Sequence, residues 1–151
     1  MDMGENIIAG VNDCLSPRYL KNLDMDLNST YINSGVLLID LEKYRNFSVR
    51  EKVSRFIESH AGVIQYPDQD VINAVFEGKI LPLAPKYNSI TLFYDFAYSD
   101  MLKYRKPVKY YSREQMNEAV EEPVIIHFTT SFLSLRPWIK ESGHRYVGKF
   151  I

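Results

Sequence analysis

Short apolar runs alternate along the chain with stretches whose apolar residues recur at helical spacing. Asn6 to Val11 is a short apolar run and predicts a strand. Ser16-Pro17 predicts the start of a short helix, with the serine as N-cap and the proline at the first position. Asp24 to Ser29 is polar and reads as a loop. Tyr31 to Leu41 is nearly all apolar without alternation, which predicts a strand buried on both faces. Ser48-Val49-Arg50-Glu51 is spelled as a capping box, and Val49, Val53, Phe56 and Ile57 follow on one helical face. Pro67-Asp68 opens a further helix with Val71, Ile72, Val75 and Phe76 as its inner face and Gly78 as its expected C-cap. Lys79 to Leu83 predicts a short strand. Asn88 to Tyr111, rich in aromatics, predicts short helix and loop. Ser112-Arg113-Glu114-Gln115 is a second capping box, whose helix ends at Glu121-Glu122-Pro123, and Val124 to Phe128 predicts another buried strand. This alternation points to the α/β class, with a mixed, mostly parallel sheet and flanking helices in a single domain over residues 1–151.

Composition narrows the function. The 18 Lys and Arg against 19 Asp and Glu leave a net charge of -1, so no nucleic-acid partner is expected. A single cysteine, Cys14, excludes an intrachain disulfide and fits a reducing compartment. The apolar run Gly35 to Ile39 is far too short for a transmembrane segment. The first six residues lack the basic-then-apolar order of a signal peptide, so a cytoplasmic protein is expected. In that setting the sequons at Asn28 and Asn46 carry no sugar. The common dinucleotide, Walker A, nucleophile-elbow and Cys-x-x-Cys signatures are absent.

Three segments stand out from plain scaffold. Asn33-Ser34-Gly35 interrupts an apolar strand, either as a bulge with a satisfied asparagine or as a place of close ligand approach. Tyr66-Pro67-Asp68-Gln69-Asp70 gathers two carboxylates and an amide at a helix start. Asp68 as N-cap and Asp70 as dipole complement account for the carboxylates, while Gln69 has no such local role. His127, at the C-terminal end of an apolar strand, stands where α/β folds place their sites; it is either a metal ligand or a satisfied histidine. Beyond it, Arg136 suits a phosphate or stacks on Trp138.

In order and spacing these segments resemble the C-terminal half of glycosyltransferase family 8. The resemblance runs through Tyr31-Ile32-Asn33-Ser34-Gly35-Val36-Leu37-Leu38, Asp68-Gln69-Asp70-Val71-Ile72-Asn73, Pro85-Lys86-Tyr87-Asn88, Ile125-Ile126-His127 and Arg136-Pro137-Trp138. It covers about residues 6 to 146. It implies part of a GT-A nucleotide-diphospho-sugar transferase fold and a retaining enzyme that moves a hexosyl group from a UDP-sugar to a glycan acceptor with Mn²⁺ as cofactor. By the same resemblance Asp68 and Gln69 hold the donor sugar near its reacting carbon, and Asn33, Ser34 and Gly35 line the donor-sugar pocket. His127 is then a metal ligand, and Arg136 and Thr130 lie on the diphosphate, with Thr130 standing where the family has glycine. The family's nucleotide-binding half, with its Asp-x-Asp, precedes the matched segment, and Asp24-Met25-Asp26 falls in a polar loop and reads as a decoy. The chain is therefore expected to hold an incomplete metal site and to be inactive when isolated. It is expected to associate as a homo-oligomer through uncovered apolar residues at Ile7, Ile8, Val36 and Leu38. The alternative is a truncated, catalytically inactive remnant that folds alone or docks with a partner. Convergence of Asn33, Asp68, Gln69 and His127 on one pocket is the geometric expectation.

Overall fold

The computed structural model describes residues 1–129. The chain forms two compact units. The first comprises residues 1–83 with 105–110, and the second the remaining described residues.

The first unit is built on a three-stranded sheet in the order β2-β1-β3, from β1 (Ile8–Asn12), β2 (Ile32–Ile39) and β3 (Ile80–Leu83). The sheet is mixed: β1 runs antiparallel to β2, with Ile8 opposite Ile39 and Gly10 opposite Leu37, and parallel to β3, with Ile8 opposite Ile80. The β1–β2 register shifts between Gly10 and Asn12. Four helices attend the sheet: α1 (Pro17–Asn22), α2 (Leu41–Asn46), α3 (Val49–His60) and α4 (Pro67–Val75). One core cluster joins Ile7, Ile8, Ile32, Phe76 and Ile80, with the rings of Tyr44 and Phe47 stacked on Phe76. A second gathers Leu15, Leu20, Leu23, Met25 and Tyr31.

Several local expectations hold. Ser16 caps α1 by accepting from the Arg18 N–H, with Pro17 at the first position. Gly78 has φ of 73°, the left-handed conformation a glycine permits, but it lies two residues beyond the C-cap of α4, which is Phe76 and not Gly78 as expected. Others change. Among the described residues β2 pairs only with β1 and lies at the sheet edge: Ile32 and Asn33 are buried, while Gly35 and Leu38 are exposed. The two-face burial read from its unbroken apolar run is corrected accordingly. Ile7 and Ile8 are covered by the core, at 4% and 1% exposure, so the uncovered patch expected there does not include them. Ser48 makes no side-chain cap bond: squeezed between the end of α2 and the start of α3, it has φ of 53°. On α4 the expected apolar face is present, with Ile72, Val75 and Phe76 in or against the first core cluster, but a second, polar set is buried as well: Gln69, Asp70 and Asn73.

The second unit begins with a 3-10 turn, Pro85–Asn88, that leads into β4 (Ser89–Ile90). The helices α5 (Thr91–Asp95), α6 (Tyr98–Arg105) and α7 (Arg113–Glu121) follow, and then β5 (Ile126–His127). β4 and β5 are parallel, with Ile90 opposite His127. The Ser112 capping box on α7 is formed, with Ser112 and Gln115 each accepting the other's backbone N–H. Ser89 Oγ ties β4 to α7 by donating to the Ala119 carbonyl at 2.8 Å. The buried strand expected over Val124 to Phe128 is shorter and half-buried, with Val124 and Ile125 exposed; among the described residues β5 pairs with β4 alone. No helix among the described residues is long and apolar enough to cross a membrane.

Candidate functional site

The candidate site residues of the first turns of α4 lie against β2. The Asn73 side chain acts as a short extra strand: its Oδ1 accepts the Ile32 N–H at 2.7 Å, and its Nδ2 donates to the Ile32 carbonyl at 2.8 Å. A second donation from Nδ2, to the Gln69 carbonyl at 2.8 Å, ties this clamp to the preceding turn. Asn73 is fully buried, so its amide repays its own desolvation only because all these bonds are made. The clamp brings the strand residues after Ile32 against the start of α4.

There the expected site residues meet. Ser34 Oγ donates to Asp68 Oδ2 at 2.5 Å. Gln69 Oε1 accepts from Asn33 Nδ2 at 3.0 Å and from the Ser34 N–H at 3.2 Å. Asn33 Oδ1 in turn accepts the Gly35 N–H at 3.0 Å, which curls the strand around the asparagine. Asn33, Ser34, Gly35, Asp68 and Gln69 thus form one hydrogen-bonded group. The N-cap role considered for Asp68 is not the one it plays, since α4 has no side-chain cap bond and the carboxylate is turned to Ser34.

Asp70 does more than complement a dipole. It is fully buried, and its Oδ2 accepts from Tyr19 Oη at 2.7 Å and from the Gln65 and Tyr66 N–H groups at 2.8 and 2.9 Å. Its Oδ1 accepts from Tyr31 Oη at 2.5 Å. Burial, and then the bond to Asp70, raise the Tyr31 and Tyr19 phenols well above the usual tyrosine value, so both remain donors.

Asp13 is a member that sequence reasoning missed. Its Oδ2 accepts from Gln69 Nε2 at 3.1 Å and lies 3.5 Å from Asn33 Nδ2. The available signal was its place just after an apolar strand, where polar residues of α/β sheets gather. Tyr19, Tyr31 and Asn73 gave no such signal, because each reads as ordinary core or helix. Asp13 and Tyr31 also line a cavity of about 240 Å³ together with Asn12, Asn28, Thr30 and Lys109.

His127 belongs to the second unit, at the end of β5, half-buried. Its Nδ1 lies 3.1 Å from Asn88 Oδ1. An amide oxygen can only accept, so Nδ1 is the donor of this pair, and Nε2 is the ring nitrogen through which such an imidazole would ligate a metal. Among the described residues no three His, Cys, Asp or Glu side chains stand together as a metal set. Asp24 and Asp26 have other work: Asp24 Oδ2 lies 3.1 Å from His60 Nε2, and Asp26 Oδ1 accepts the Asn28 N–H. Thr130 and Arg136 lie outside the described residues.

The model of glycosyl transferase family 8 matches residues 1–141. General stress protein A of Bacillus subtilis is 31% identical over 152 residues, covering 99% of this chain and 50% of that protein. A lipopolysaccharide 1,2-glucosyltransferase of Escherichia coli K12 is 31% identical over 118 residues, 78% of this chain and 31% of its own length. The solved structure of the galactosyltransferase LgtC in complex with donor and acceptor sugar analogues superposes with a TM-score of 0.76 at 23% identity. It covers 99% of this chain and 51% of that one, and carries the fold. The chain spans about half or less of the length of these relatives. It has the mixed α/β architecture of the GT-A glycosyltransferases and belongs to glycosyl transferase family 8.

Proposed function

We propose that this chain supplies the donor-sugar and acceptor part of the site of a retaining hexosyltransferase, which moves a hexosyl group from a UDP-sugar to a glycan acceptor of a cell-surface polysaccharide. The observation that carries this reading is the single hydrogen-bonded group of Asn33, Ser34, Gly35, Asp68 and Gln69, on a chain of family 8. A hexosyl ring presents hydroxyls that both donate and accept. A half-exposed edge that offers a carboxylate, a hydroxyl and amides in set orientations suits it. Asp68, exposed at the helix start, is the charged acceptor for those hydroxyls, and the oriented group holds the sugar near its reacting carbon. The two relatives cited that are named as glycosyltransferases act on a lipopolysaccharide and as a galactosyltransferase, which supports a saccharide acceptor.

His127 fits as one ligand of Mn²⁺ through Nε2, since Asn88 holds its other nitrogen. When bound, the metal neutralises the diphosphate leaving group as a Lewis acid. Arg136 and Thr130 are assigned to the diphosphate by the sequence motif alone.

Saturation-transfer NMR with UDP-glucose and UDP-galactose tests the reading. The hexosyl protons should receive saturation from the chain, and Asp68→Asn should abolish most of it. Saturation confined to the uridine protons, or none at all, would count against the donor-sugar assignment.

A further inference from the structure

The Gln69 amide has both lone pairs and both protons engaged, and that raises the question of what decides which way it faces. On one side stand two donors, Asn33 Nδ2 and the Ser34 N–H. On the other stand Asp13 Oδ2 at 3.1 Å from Nε2 and Tyr31 Oη at 3.4 Å. Asp13 is a carboxylate and accepts. Tyr31 is ambiguous by itself, because a phenol can donate or accept. The ambiguity is removed one bond further out. Tyr31 has one proton, and it is committed to Asp70 Oδ1 at 2.5 Å. Towards Gln69 the phenol is therefore an acceptor, and only Nε2 can face it. A flipped amide would set its oxygen against Asp13 and Tyr31, and its NH₂ against the Ser34 N–H.

We infer that Tyr31 is a positioning residue that sets the facing of the Gln69 side-chain amide, with Asp70 holding the Tyr31 proton. The arrangement has a built-in comparison. Tyr19 donates to the same carboxylate through Oδ2, which two backbone N–H groups also serve, and it has no bond to Gln69 among those seen. Both rings pack in or against the same core cluster. Loss of either hydroxyl weakens the Asp70 network, but only the Tyr31 hydroxyl touches Gln69. Burial and the neighbouring carboxylate keep the Tyr31 phenol protonated at any assay pH, so the setting is permanent rather than a switch. Its significance for sugar binding rests on the donor-sugar reading above; the facing of the amide does not.

Nitrogen-15 NMR of the Gln69 side-chain amide pair, identified by its absence in Gln69→Glu, is the test. In the unaltered chain this pair should exchange with solvent more slowly than that of exposed Gln65. Equal rates would overturn the proposal without any variant. Tyr31→Phe should speed Gln69 exchange by roughly tenfold, the order of factor for one lost hydrogen bond, and move both proton shifts. Tyr19→Phe should leave the pair where it was. If Tyr19→Phe moves it as far as Tyr31→Phe does, the phenols are only structural braces and the proposal fails; it fails too if neither moves it. In saturation transfer with UDP-glucose, Tyr31→Phe should lose hexosyl signal and Tyr19→Phe should keep it. An unaltered chain with no hexosyl signal would sink the donor-sugar reading, while the amide pair still decides the role of Tyr31.

Discussion

A buried carboxylate is tolerated only when donors replace its water, and Asp70 has four. Two come from the backbone just ahead of its own helix, so the residue also holds the chain's entry into α4. Two come from phenols more than thirty positions away in the sequence. Asn73 solves the same problem with an amide that copies the backbone of a strand. Replacement of Asp70 by Asn keeps the shape and changes the donor count: one oxygen becomes an NH₂ that must face N–H or O–H groups, and the charge that strengthens each bond is lost. Asp70→Asn should destabilise the chain by about 2–3 kcal/mol, the range for breaking charge-assisted bonds to a buried group. Urea unfolding followed by circular dichroism measures it. A loss well under about 1 kcal/mol would mean that the carboxylate is not bonded as described.

Between elements, β1 and β2 approach closely at Gly10. A Cβ on Gly10 would come within 2.6 Å of Ile32 Cδ1 and 3.2 Å of Ile32 Cβ, and Ile32 is fully buried. Gly10→Ala should therefore cost about 1–3 kcal/mol by overpacking. Ile32→Val removes the offending Cδ1, so the double variant should recover part of the loss, with a coupling above about 0.5 kcal/mol. Strictly additive losses would show that the two residues do not meet. The contact joins positions far apart in sequence, and such contacts are the ones a pattern of apolar residues does not spell. What was legible were features settled locally. Ser16-Pro17 and Ser112 with Gln115 cap their helices as spelled, because the groups involved lie within one turn. Ser48 has the same spelling but follows α2 without a spacer, and its backbone is bent out of capping geometry. The apolar run of β2 carried no sign that it would lie at the edge of the sheet among the described residues. The candidate site was legible as a motif, from Asn33 to Gly35 and from Asp68 to Asp70, whereas its supports were not. Asp13 and Tyr31 acquire their roles only when α4 is clamped to β2 by Asn73.

At the scale of the molecule, ionisable groups set a pH window for stability, and its alkaline side is the better defined. Burial, then the Asp13 carboxylate, push the Cys14 thiol from 9.0 up to about 12, with Arg105 opposing. Burial and the Asp70 bond raise Tyr31 and Tyr19. In each case the folded value lies above the unfolded one, so the unfolded chain releases its proton first. The stability these neutral groups contribute is complete below about pH 9 and is lost as the pH rises beyond it. Each fully buried group removes up to about 1.4 kcal/mol per pH unit over its interval. On the acid side the carboxyls are lowered: Asp40 by the Lys43 N–H and then its ammonium, and Glu114 by its own N–H and then Ser112. Their contribution is present above the ordinary carboxylate range and is lost as the pH falls through their folded values. Glu114 is exposed and Asp40 is only partly covered, so this limb is shallow. Lys86, raised by its bond to exposed Glu118, adds little for the same reason. Urea midpoints measured from pH 7 to 11 should hold to about pH 9 and then fall steeply. Cys14→Ala and Tyr31→Phe each delete one titrating group, so each should make the fall shallower, even though both start from lower stability at neutral pH. A variant that starts lower and falls in parallel with the unaltered chain would show that its side chain ionises alike in the folded and unfolded states, and that the burial described for it is wrong.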